Sequence, residues 1–349
     1  MPWSFAWTRP PEITSPPAPL NGGAGSAWLI DAQLRLAAVL VLVVLALSIA
    51  VAQAASLAGS ITVGQWPSAA ALNPTTRRLY VPNWADDTIS VIDAATYRVR
   101  DTISSGVGRE PADADVNTRA NLVYIANDAG RSLSVLDGAS DTVVATVDLG
   151  GNGGDVAFDP KTNRVFVTVY SANQVDVIDG SSYALLGSVS VGQSPLGIAV
   201  NPKTNRIYVA NYDSDTLSII DGKRHRVVAT LPTGHNPRGL AINPVVNCLY
   251  VSNAGDNTVW VMDLATEQFT GVSIAVGTDP RRIIVNPRTN HAFVSNTGSD
   301  SISMIDGATN TVIQTLSVGS GPRDGSVNTA KNQVFIVNSG GDTVSVLQE

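Results

Sequence analysis

Three arginines, Arg238, Arg281 and Arg323, each follow a proline at Pro237, Pro280 and Pro322, and a fourth, Arg282, follows the second of them. Guanidinium groups brought to one place would hold a carboxylate or a phosphate, because the planar fork donates paired hydrogen bonds. In equivalent registers elsewhere the chain carries Asp113, Asp155 and Asp324, carboxylates able to neutralise those same arginines. Two outcomes therefore stay open: the arginines bind an outside anion, or they pair with the aspartates around a water-filled channel. Nearby loops add Trp66, Trp84, Tyr170, Tyr212 and His235.

These residues share a register because the chain repeats. An aspartate closes a β-branched run at Asp93, Asp137, Asp179, Asp221, Asp263 and Asp306, at spacings of 44, 42, 42, 42 and 43 residues, and a seventh copy ends at Gln348. A second phrase keeps the same period at Asn83, Asn127, Asn211, Asn253, Asn296 and Asn338, with Val169 standing in the third copy. Each copy holds four short apolar and β-branched runs bounded by Gly, Pro, Asn and Asp, the pattern of strands and tight turns. Asn201-Pro202-Lys203-Thr204-Asn205 is one such turn and Asp221-Gly222 another. About 42 residues per unit and four strands per unit predict an all-β fold, a seven-bladed β-propeller of four-stranded blades.

The seventh copy stops before its fourth strand, whereas Ser56 to Gly64 reads as a fourth strand with no first three ahead of it. The N-terminal strand is therefore expected to close the last blade and remove the exposed edges. This closure places the fourth-to-first connection and the second-to-third connection on one face. Aligned on the proline, the first of these carries Ser68, Ala112, Gly154, Leu196, Arg238, Arg281 and Arg323, and one residue further Ala69, Asp113, Asp155, Gly197, Gly239, Arg282 and Asp324. The channel mouth is expected to be basic from blades five to seven and acidic from blades two and three. The candidate ligand-binding set is Arg238, Arg281, Arg282, Arg323, Asp113, Asp155, Asp324, His235, Trp84 and Tyr212.

At this point the units resemble the YVTN family of 40-residue β-propeller repeats, which includes YncE-like periplasmic proteins and repeats of archaeal surface-layer proteins. The phrases that carry the likeness are Tyr80-Val-Pro-Asn, Tyr124-Ile-Ala-Asn, Tyr208-Val-Ala-Asn and Tyr250-Val-Ser-Asn with the Asn-Pro-x-Thr-Asn-Arg turn, over residues 57–349. The resemblance implies the fold and an extracytoplasmic setting. It implies no common catalytic set, and fold alone does not carry function.

The rest of the chain bounds the function by exclusion. A formal charge of −7 argues against non-specific nucleic-acid binding. Cys248 is the single cysteine, which excludes an internal disulfide and a multi-cysteine metal site. His225, His235 and His291 lack a recurring carboxylate partner, so neither a metal nor a cofactor is expected. His291 and Cys248 share a turn position with Arg164, Arg206 and Gln333 and are expected at the surface. Asp87, Asp215, Asp300 and Asp342 recur once per blade and are expected to cap turns. Gly-x-Ser-x-Gly, phosphate-loop and His-Glu-x-x-His patterns are missing.

Leu36 to Ala52 is an uncharged, Leu- and Val-rich run preceded by Arg35, and residues 34–55 are expected as one N-terminal targeting helix, either a signal peptide cut near Ala54 or a retained anchor. Residues 1–33 form a proline-rich leader. The expected product is an extracytoplasmic monomer, residues 56–349, that binds an anionic small molecule or an acidic protein segment at the channel mouth. Two alternatives remain: an enzyme of lactonase or lyase type in which Asp113, Asp155, His235 and Arg281 converge, and a structural or adhesive cell-surface repeat protein.

Overall fold

The computed structural model describes residues 54–349. The expected leader and nearly all of the expected targeting segment, residues 1–53, lie outside the described residues. Among the described residues no helix is long and apolar enough to cross a membrane.

Seven four-stranded antiparallel sheets make up the domain. Blades one to six run Ala71–Ile103, Pro111–Asp148, Gly153–Ser190, Pro195–Pro232, Pro237–Ala275 and Pro280–Ser317, each ordered in sequence from the inside outward. Blade seven takes Pro322–Asn328, Gln333–Asn338 and Thr343–Gln348 from the C-terminal end and Ser56–Thr62 from the N-terminal end. Ser56 pairs with Gln348 and Thr62 with Thr343, so the ring closes as the incomplete repeat requires. The first strands of neighbouring blades contact each other all the way round and line the axis.

The core lies between blades rather than within them, because a single sheet can bury its faces only against the next sheet. Seven apolar clusters correspond to seven blade boundaries; the one across the closure joins Ile61, Val337 and Val346 to Leu72, Leu79 and Ile92. The repeated tyrosine serves the same purpose. Tyr80, Tyr124, Tyr208 and Tyr250 are fully buried, and the Tyr250 hydroxyl reaches Asn310 of the next blade at 3.0 Å.

The repeated asparagine and the repeated glycine explain each other. Asn83, Asn211 and Asn338 are buried and donate through Nδ2 to Thr88 and Ser90, Thr216 and Ser218, and Thr343 and Ser345 of their own third strands. A Cβ on Gly64, Gly192 or Gly319 would lie 2.6 Å from those amides. Only glycine fits over them.

The once-per-blade aspartates hold blades together. Asp87, Asp215, Asp300 and Asp342 sit in the left-handed region, and each Oδ1 accepts the backbone N–H of the residue before the next blade's aligned proline, at Glu110, Asn236, Gly321 and Trp66. Asn173 and Asn257 do the same for Ser194 and Asp279. In blade two Arg131 occupies the position and donates instead, to the Gly150 carbonyl. Asp215, Asp300 and Asp342 close a short turn, as their periodicity suggested, and the side chains also cap across a blade boundary.

Two expectations are corrected. Cys248 is buried, since the second strand of blade five carries its side chain into the cluster between blades five and six. His291 is only 14% exposed, because the terminal Glu349 turns inward and accepts from its Nδ1 at 2.6 Å and from Thr289 Oγ1 at 3.0 Å.

Candidate functional site

All seven residues that follow the aligned proline position meet around one cavity at the channel mouth. Ser68, Ala112, Gly154, Leu196, Arg238, Arg281 and Arg323 line it, with Asp155 and Arg282 beneath and Asp128 and Tyr170 on the side of blades two and three. Its volume is about 200 Å³.

A backbone irregularity puts two successive residues of each blade at the axis. Alternation in a regular strand would send Arg281 and Arg282 to opposite faces. Instead, the register between first and second strands slips after the proline position, between Pro237 and Leu240, Pro280 and Ile283, and Pro322 and Gly325, as it does in blades two, three and four. Bulges of this kind re-aim side chains, commonly beside binding sites. Close approach of backbones then tightens the ring. A Cβ on Gly197 would lie 2.0 Å from the Arg238 carbonyl oxygen, and one on Gly239 2.0 Å from that of Arg281.

The deeper layer is a closed electrostatic unit. Arg282 reaches across the axis to Asp155, to Asp113 at 3.3 Å and to Asp324 at 3.9 Å. Asp113 also accepts the Val156 N–H at 2.9 Å. Burial raises the Asp113, Asp155 and Asp324 carboxyls above the ordinary value, and Arg282 works against that shift in all three. Burial works to lower the Arg282 guanidinium, but Asp155, Asp113 and Asp324 prevail and hold it up.

The outer layer is not closed. Arg281 donates through Nε to Asp279 at 3.0 Å. Arg238 stacks over the Tyr212 ring, its Cζ 5.7 Å from the centroid. Among the described residues no carboxylate lies within ion-pair distance of Arg238 or Arg323. Burial, then Arg281 and Arg323, press Arg238 down to about 9, and burial, then Arg281 and Arg282, press Arg323 down as well. In both, burial acts first and neighbouring guanidinium groups add to it, while Asp279 for Arg238 and Asp155 and Asp324 for Arg323 oppose only in part. The arginines of the larger cavity at the outer turns of blades four and five, by contrast, are already paired, Arg206 with Glu267 at 2.9 Å and Arg224 with Asp221 at 2.7 Å.

The remaining sequence candidates take other places. His235 is 73% exposed on the rim, with Nδ1 2.8 Å from Asp256, a partner that raises its pKa. Trp84 packs against Trp66, with ring centroids 5.8 Å apart. Neither lines the cavity.

Asp128 and Asp279 went unread. Asp128 follows the repeated asparagine at the position held elsewhere by Trp84, Tyr170 and Tyr212, which is the signal that could have found it. Its Oδ1 accepts from Tyr170 at 2.5 Å and from Asn152 at 2.8 Å. Tyr170 is raised by burial and then by this carboxylate.

The YNCE-like beta-propeller family model matches residues 32–338. Among solved structures the chain is similar to Kuenenia stuttgartiensis Hydrazine Synthase, with a TM-score of 0.75, 15% sequence identity, and coverage of 83% of this chain and 97% of that one. At that identity the likeness concerns the fold alone. No curated protein matches. Repeat, ring closure and family match agree, and the chain belongs to the YNCE-like beta-propeller family.

Proposed function

We propose that this propeller is a binding scaffold whose ligand is an anionic small molecule, or an acidic side chain of a partner protein, seated among Arg238, Arg281 and Arg323. The observation that carries the reading is that Arg238 and Arg323 are half-buried, face one cavity and have no carboxylate partner among the described residues. Gathering such charges is unfavourable unless an anion completes the site. The cavity of about 200 Å³ suits a carboxylate or phosphate group rather than a whole drug-sized molecule.

Binding is favoured over catalysis. A lactonase-like site would need Asp113 and Asp155 free to act as a base beside His235, yet Arg282 engages both aspartates and His235 stands on the rim. The uncharged run from Leu36 to Ala52 and the Ala52-Gln53-Ala54 pattern support placing the propeller outside the cytoplasm.

Calorimetric titration with inorganic phosphate and with succinate tests the site. Binding to the wild-type chain and its loss in the Arg238→Gln/Arg323→Gln variant, with an unchanged melting curve, is the expected result. Equal affinity in the variant, or no binding of any small anion, would sink the assignment.

A further inference from the structure

Among the described residues Trp66 is the one Phe, Trp or Tyr that combines a left-handed backbone with an exposed ring. It has φ of 51° and is 56% exposed. The turn before the proline takes this conformation in five other blades, and a bulky residue is more strained there than the residues that hold it elsewhere. The other aromatic residues with positive φ turn their rings inward. Tyr97 packs edge-on against Phe335 and accepts from Gln333, and Tyr183 packs on the cluster between blades two and three. Equivalent positions before the proline hold Glu110, Ser194, Asn236, Asp279 and Gly321, none of them aromatic.

What holds Trp66 is backbone rather than ring. Its N–H donates to Asp342 Oδ1 at 2.9 Å and its carbonyl accepts from Trp84 N–H at 3.0 Å. The two indoles lie 5.8 Å apart and tilted by 32°, with Trp66 exposed and Trp84 half-buried. Through Trp66 the pair is tied along the backbone to the arginine cavity. Ser68, two residues on, lines that cavity with Arg323, and a chain covers at most about 7 Å in two residues.

We propose that Trp66 and Trp84 form a second subsite continuous with the arginine cavity, and that the ligand is an acidic saccharide. Its carboxylate sits among Arg238, Arg281 and Arg323, and the apolar face of a neighbouring sugar ring lies on the tryptophans. This rests on the anion-binding reading above and extends it. The cavity is smaller than sites that enclose a whole ligand, so most of the ligand lies on the rim. A surface in water that presents aromatic faces suits an occupant with one apolar face and polar edges, which describes a pyranose ring better than an aliphatic chain.

The test compares trigalacturonate, monomeric galacturonate, maltotriose, hexaglutamate and phosphate by calorimetry on the wild-type chain and on Trp66→Asn, Trp84→Ala and Arg238→Gln/Arg323→Gln. Trigalacturonate should bind more tightly than galacturonate. Each tryptophan variant should weaken trigalacturonate roughly five- to tenfold and leave phosphate unchanged. The arginine variant should abolish both. Trp66→Asn should also raise the melting temperature, because asparagine tolerates the left-handed region; a purely structural tryptophan would give a lower one, and that result would overturn the strain argument. Equal affinity for trimer and monomer, with no tryptophan effect, would remove the rim subsite while leaving the anion site standing. Maltotriose binding as tightly as trigalacturonate would refute the acidic class, and hexaglutamate binding more tightly with the same tryptophan dependence would replace the saccharide by a peptide. Failure of every anion, phosphate included, would defeat the underlying anion site instead.

Discussion

Two layers of the channel mouth, one residue apart in every blade, use the same chemical group in opposite ways. In the deeper layer Arg282 is surrounded by Asp113, Asp155 and Asp324. In the outer layer Arg238 and Arg323 face each other's charge, with only Arg281 drawn aside by Asp279. The first arrangement makes the arginine part of the fold. The second leaves Arg238 and Arg323 without a carboxylate in ion-pair distance among the described residues, the two groups that the proposed anion would engage. What decides between them is not residue type but which carboxylates the ring geometry brings within reach.

Removing the central charge should separate the layers most sharply. Arg282→Met leaves three buried carboxylates unpaired and is expected to cost about 3–5 kcal/mol in chemical denaturation. Arg323→Met, which removes one of several like charges, should leave stability unchanged or slightly higher. If both variants lose equally, the contrast between the layers is wrong.

Acidity sharpens the same contrast. The three aspartates titrate above their ordinary value in the fold, so their contribution is complete below about 4 and is lost as pH rises through the raised values. The deficit of Arg282→Met should therefore shrink at pH 5 relative to pH 8. A deficit independent of pH would mean that the carboxylates are not its cause.

Smaller effects probe the scaffold that sets the two layers. Gly239→Ala would drive a Cβ to 2.0 Å from the Arg281 carbonyl oxygen, so the backbone must shift; about 1–3 kcal/mol and weaker anion binding are expected together. Asp342→Ala removes the Oδ1 that accepts Trp66 N–H across the ring closure and should lower stability by about 1 kcal/mol. Asp215→Ala, at a contiguous boundary, provides the matched control.

Much of this was legible in residue order. The spacing of Asp93 through Asp306 gave blade number, and the strand-like Ser56–Gly64 foretold the pairing of Ser56 with Gln348. Alignment on the proline also gathered the seven residues that line the mouth. Less legible were the departures. Cys248 looked like a variable turn residue and lies in an interblade core, while His291 is covered by a C-terminal Glu349 that no periodicity predicts. The aspartates at 87, 215, 300 and 342 were readable as turn residues, but not their side-chain partners, which lie 21 to 276 residues away.

The sequence by itself determined the ring: its period, its four strands per unit, its closure and the face on which the arginines appear, because turn residues and strand periodicity act over a few residues and repeat. Only the tertiary structure decided which arginine is satisfied. Arg281 and Arg282 are neighbours that strict alternation would separate, and the slipped register between Pro280 and Ile283 aims both at the axis. There Arg282 meets Asp155 from 127 residues away, whereas Arg281 meets the nearby Asp279. Contact across the axis depends on the backbone approach of separate blades, a distance that no local pattern encodes.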